Sequence, residues 1–164
     1  MRIGARAACL VFGCGQAPLR GQQPESLRLC RTALPNGSAG GSLLADSSFA
    51  TFDEVARDRL SQHTGIWPPA FWPVVHLGFG YARLRYGLDL HHAAPIDAIR
   101  ATNVPILLIH GMKDRNIPPR HSRELHAANP RTVLWEVPAA GHVQSYATDP
   151  QEYARRAVAW FQIH

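Results

Sequence analysis

Asp114 and His142 are the residues whose type and setting best fit chemistry. Asp114 comes just after the run Val104-Pro105-Ile106-Leu107-Leu108-Ile109-His110-Gly111. His142 closes the loop Pro138-Ala139-Ala140-Gly141-His142, directly after the strand-like segment Thr132–Val137. A carboxylate beside an imidazole can accept its Nδ1–H, fix the tautomer and leave Nε2 free to take a proton. Such a pair would do general acid–base work. The plainer alternative makes Asp114 a turn residue and His142 a solvated loop histidine, since both types are common in loops. Spacing alone leaves both readings open.

The surrounding segments must position the two groups. The run ending at Gly111 is continuously apolar, rich in branched residues and bounded by a turn signal, which predicts a strand buried on both faces. Polar residues beyond the carboxyl end of such a strand lie where open α/β sheets bind ligands. Pro118-Pro119 opens a helix that runs to Ala128, and Asn129-Pro130 breaks it before the strand Thr132–Val137. Consecutive parallel strands joined by a helical crossover usually neighbour each other at ~4.8 Å, so the two loops should open side by side. Gly141 gives the second loop the backbone freedom to aim the ring inward.

Upstream, Ser42–Asp46 reads as a short strand ending in a carboxylate. Thr51-Phe52-Asp53-Glu54 spells a capping box, in which Thr51 caps one backbone N–H and Glu54 reaches back to another. The helix it starts should stop at Gly65. The aromatic and proline-rich stretch from Trp67 onward reads either as core packing or as an apolar lid or acyl pocket. Pro95–Ile99 is a short helix. Asp149-Pro150 starts the last one, with Tyr153, Ala157, Trp160 and Phe161 as its apolar face. The order strand, helices, strand, helix, strand, helix predicts an α/β unit with a parallel sheet.

Composition divides the chain near residue 42. Residues 1–45 hold five Arg and one Glu, all three Cys and no His, whereas the rest is nearly charge-balanced and holds all nine His. The near-neutral part offers no nucleic-acid face. Three cysteines without C-x-x-C spacing signal neither a disulfide framework nor a zinc site and set an intracellular, cytoplasmic location as the expectation. Arg2 and Arg6 ahead of Ala7–Phe12 give a weak export signal as the alternative. Residues 1–41 read as an irregular N-terminal segment outside the fold that residues 42–164 form. The uncharged stretch Ala70–Ala82 is interrupted by Pro73 and falls short of the ~20 residues of a membrane span.

Val104 to Gly111 with Asp114, then Ile117-Pro118-Pro119, a helix, a strand and Pro138-Ala139-Ala140-Gly141-His142, resembles the C-terminal part of α/β-hydrolases. The type is that of serine aminopeptidases and prolyl-oligopeptidase-like esterases. Leu44-Ala45-Asp46-Ser47-Ser48-Phe49-Ala50 is similar to the strand and turn that follow the nucleophile helix in those proteins. The resemblance covers residues 42–164 and implies a partial α/β-hydrolase fold of three parallel strands, flanking helices and a helical insertion. It also implies a Ser-Asp-His hydrolase acting on a small ester, amide or peptide substrate, without cofactor. Asp114 would be the triad acid and His142 the base, in the chain order of that fold.

The fold's nucleophile sits on a G-x-S-x-G elbow, and this sequence holds none. Ser38 lies too close to Leu43 to leave room for the intervening helix, and Cys14 has bulky Phe12 and Gln16 where small residues belong. The expectation is the acid/base half of a serine hydrolase, inactive alone; a noncatalytic remnant or interaction module on the same scaffold is the alternative. Asp46 is a rival triad acid, and His110 reads as a buried, hydrogen-bonded histidine. His121 and His126 sit five apart on different helix faces and His91-His92 point apart, so no metal site is expected.

Overall fold

The computed structural model describes residues 8–12 and 41–164. Its centre is the strand β3, Ile106–Gly111, all six residues of which are buried. Around it lie β1 (Ala8–Phe12), β2 (Ser42–Asp46) and β4 (Val133–Val137), in the order β1-β2-β3-β4. All three pairings are parallel, with Leu44 beside Leu107 and Leu108 beside Leu134. The three predicted strands are therefore present, and a fourth lengthens the sheet. That fourth strand falls within the segment expected to be irregular; the remainder of residues 1–40 lies outside the described residues, Cys14 and Ser38 included.

Parallel strands need helical crossovers, and these cover both faces. Side chains alternate across β3, so Leu107 and Ile109 face one way and Ile106 and Leu108 the other. The first pair joins Leu44, Val137, Ala140 and Tyr153 beneath α6 (Pro150–Ile163). Ala157, Trp160 and Phe161 of that helix pack on the same cluster, as their spacing predicted. The Trp160 indole N–H also donates to the Leu43 carbonyl at 3.1 Å, pinning the helix to β2. The second pair joins Ala45, Ala50, Ile99 and Leu125, beneath α3 (Pro95–Ala101) and α4 (Arg120–Ala128).

The insertion between β2 and β3 is helical. Helix α1 (Phe52–Thr64) starts at Thr51, whose hydroxyl accepts the Glu54 N–H at 3.2 Å. The capping box is half made, because the Glu54 carboxylate turns away toward Arg120 and His121. Gly65 ends α1 at φ 73°, a conformation glycine adopts without a Cβ penalty. Helix α2 (Trp72–Tyr86) corrects the core-packing expectation for the aromatic stretch. It buries only Val75 and Phe79, the latter stacked on Phe52 at 5.7 Å, and leaves Trp67, Trp72, Leu77 and Tyr81 exposed. The reason is that α2 docks on α1 rather than on the sheet, so a single narrow stripe is covered. No described helix is long and apolar enough to cross a membrane.

Candidate active site

The carboxyl ends of β3 and β4 deliver the two residues picked out by the sequence. Past β3 the chain turns through Met112 and Lys113, whose N–H groups donate to the Val137 and Ala140 carbonyls, both at 2.9 Å. These bonds hold the two loops edge to edge. Gly111 makes that approach feasible: a Cβ there would lie 2.4 Å from the Ala140 oxygen and 2.6 Å from that of Gly141. His142 Nδ1 then donates to Asp114 Oδ2 at 2.8 Å.

Asp114 is 4% exposed, and its other oxygen accepts the N–H groups of Asn116 at 2.8 Å and Ile117 at 2.9 Å. Burial pushes its carboxyl up, but the N–H groups of His110, Ile117 and His142 outweigh burial and hold it below the usual 3.8. The carboxylate is therefore ionised at neutral pH and can only accept. That makes Nδ1 the protonated nitrogen of a neutral His142 and leaves Nε2 with its lone pair. His142 keeps about a quarter of its side chain exposed, at 23%.

His110 is fully buried and hydrogen-bonded, as read from the sequence. Its Nε2 donates to the Ile117 carbonyl at 2.8 Å, so its Nδ1 accepts from the Ser122 hydroxyl. The same Nε2–H lies 3.5 Å from Asp114 Oδ2, adding positive potential where the carboxylate is charged. Asp46 is not a rival acid. Its Oδ1 accepts the hydroxyls of Ser47 and Ser145, each at 3.1 Å, and burial holds its carboxyl above 3.8. An open groove of about 500 Å³ runs beside Asp114, lined by Met112, Lys113, Arg115, Ala139, Gly141 and Gln144. No residue of the aromatic stretch lines it. Among the described residues, no hydroxyl or thiol is hydrogen-bonded to His142.

Glu54, His121 and Glu124 bring three donor atoms within 4.8 Å of one another on the far side of α4. The cluster already holds a cation. Arg120 donates to Asp58 at 2.7 Å and to Glu124 at 3.0 Å, and lies 4.0 Å from Glu54. His121 is fully buried, with Nε2–H on Asp58 at 3.0 Å and Nδ1 accepting from the Ala50 N–H at 3.4 Å. Burial first, then Arg120, pulls the His121 ring below its usual 6.5 against the opposing pull of Asp58 and Glu54. The unfolded chain therefore takes up the proton first, so the stability His121 contributes is present above about pH 6.5 and lost as pH falls. Urea unfolding between about pH 7.5 and pH 5 should show this slope, and His121→Gln should flatten it. An unchanged slope in the variant would remove His121 as its source.

No family model and no curated protein matches this chain. Solved structures do. An esterase from Pyrococcus furiosus superposes with a TM-score of 0.53 at 17% identity, over 82% of this chain and 48% of its own. A puromycin-hydrolyzing peptidase from Mycobacterium tuberculosis gives 0.58 at 14% identity, over 94% and 21%. An acylaminoacyl peptidase from Pyrococcus horikoshii gives 0.55 at 13% identity, over 96% and 23%. The chain thus spans half or less of these proteins. With its parallel order, its crossovers and its loops at the carboxyl strand ends, it carries a partial α/β-hydrolase fold.

Proposed function

We propose that this chain supplies the acid and the base of a serine-hydrolase triad acting on small esters, amides or short peptides. The observation that carries this reading is the 2.8 Å contact from His142 Nδ1 to buried Asp114, with Nε2 left free. In that arrangement Nε2 takes the proton of an attacking hydroxyl and later returns it to the leaving group. Asp114 holds the ring in the right tautomer and stabilises the imidazolium that forms. Among the described residues no serine or cysteine is hydrogen-bonded to His142, so this reading draws the nucleophile from outside them.

The test is p-nitrophenyl butyrate turnover and fluorophosphonate labelling of the whole chain beside His142→Ala and Asp114→Asn. Buffer-level turnover and no label are the expected results. Turnover that both substitutions abolish would place a nucleophile within the chain and make it a complete enzyme. If turnover is indifferent to them, His142 is not the base.

A further inference from the structure

The loop that carries His142 is strained, and the strain is held from the end of β2. Val143 has φ 55°, a left-handed conformation that a β-branched residue rarely adopts. Its N–H donates to Ser47 Oγ at 3.1 Å, a contact spanning 96 residues of sequence. Ser47 is itself left-handed, at φ 54°, and fully buried. Two non-glycine residues in this region meet across one hydrogen bond, beside the base. Strain of this kind persists only where the surroundings over-determine it.

The polarity of the contact is also determined. The Val143 N–H can only donate, so Ser47 Oγ accepts there and its own hydrogen is left to point at Asp46 Oδ1. Ser145, at the start of the short helix α5 (Ser145–Thr148), gives its hydroxyl hydrogen to the same oxygen at 3.1 Å. Asp46 therefore holds this loop at two points, at Val143 through Ser47 and directly at Ser145. Asp46 is 1% exposed and both serines 0%, so their side chains are shielded from bulk water.

We propose that Ser47 and Asp46 are positioning residues for His142, fixing the backbone just beyond the ring so that Nδ1 faces Asp114. This rests on reading Asp114 and His142 as the acid/base pair. Ser47→Gly removes the hydroxyl while relieving the left-handed strain, so the fold should survive. Two signals of the labelled whole chain report the result by NMR: the low-field N–H resonance of the His142–Asp114 hydrogen bond, and hydrogen exchange at the Val143 amide. Ser47→Gly should lose the first and accelerate the second. Ser47→Ala, which keeps a Cβ, should match it in both.

Asp46→Asn retains an acceptor oxygen for both hydroxyls and should keep both signals. An intact low-field resonance in Ser47→Gly or Ser47→Ala overturns the role of Ser47, and an intact one in Asp46→Ala, which strips both hydroxyls of their acceptor, overturns that of Asp46. A wild-type chain without the low-field resonance counts against the acid/base pair itself. Exchange at Val143 would still report the Ser47 contact, so the two failures are distinguishable.

Discussion

Asp114→Ala should lower the unfolding free energy by about 2–4 kcal/mol, and Asp114→Asn by under about 1.5 kcal/mol. The first substitution orphans the N–H groups of Asn116 and Ile117 together with Nδ1–H of His142, around a side-chain site sealed from solvent. A buried donor without an acceptor costs its desolvation, which is larger than the net worth of the bond it loses. Asparagine keeps the oxygen that serves the two backbone groups. It places an NH2 where Oδ2 faced His142, so the ring can pair only by moving its proton from Nδ1 to Nε2. The free lone pair on Nε2 is then lost from a chain that still folds. Urea unfolding measures the first effect, and the ¹⁵N shifts of the His142 ring report the tautomer. A loss under about 1 kcal/mol in Asp114→Ala would mean that water replaces the carboxylate, against its burial.

The two buried carboxylates at the strand ends respond to acid in opposite directions. Asp114 titrates below 3.8 in the folded chain, so the unfolded chain binds its proton first. Its contribution is present above 3.8 and is lost as pH falls through the folded value. Asp46 titrates above 3.8, so its contribution is greatest in acid and lost as pH rises through its own folded value. Acid unfolding of the wild type sums the two, and only the difference from Asp114→Asn isolates the first.

The strongest physical signals in the sequence were those set by local chemistry. Six buried positions in a row leave β3 little choice but the centre of the sheet, and Asp149 caps α6 through the Glu152 N–H at 3.1 Å, as its type predicts. Parallel neighbours opening their loops at one edge made the Asp114–His142 pairing possible, and the resemblance to the C-terminal part of α/β-hydrolases favoured it over two unrelated loop residues. The half-made capping box was not legible, because the competing partners of Glu54 sit on α4, far along the chain. Nor was the outward face of α2, since an apolar helix reads the same whether or not something covers it. The role of Ser47 was hidden for another reason. Its partner is a backbone N–H at Val143, and a positive φ at valine leaves no mark on residue type.

Gly111→Ala should cost about 2–3 kcal/mol and disconnect His142 from Asp114. Glycine is required here by the neighbouring backbone and not by a turn, since the added Cβ would sit 2.4 Å and 2.7 Å from the oxygen and carbon of Ala140. Those atoms belong to main chain whose oxygen already accepts the Lys113 N–H at 2.9 Å, so no side-chain rotation relieves the overlap. Relief must come from moving Ala139–Gly141 away from β3, which carries His142 with it and breaks the Lys113 bond. The two losses are coupled: unfolding free energy and the His142–Asp114 resonance should fall together. Gly141→Ala is the control, because its Cβ would meet the Gln144 side chain at 2.8 Å, and that flexible end can swing aside. It should cost under about 1 kcal/mol and keep the resonance. Equal losses in both variants would mean that the loop tolerates no added volume anywhere, and the contact between β3 and Ala140 would lose its claim to setting the distance between Asp114 and His142.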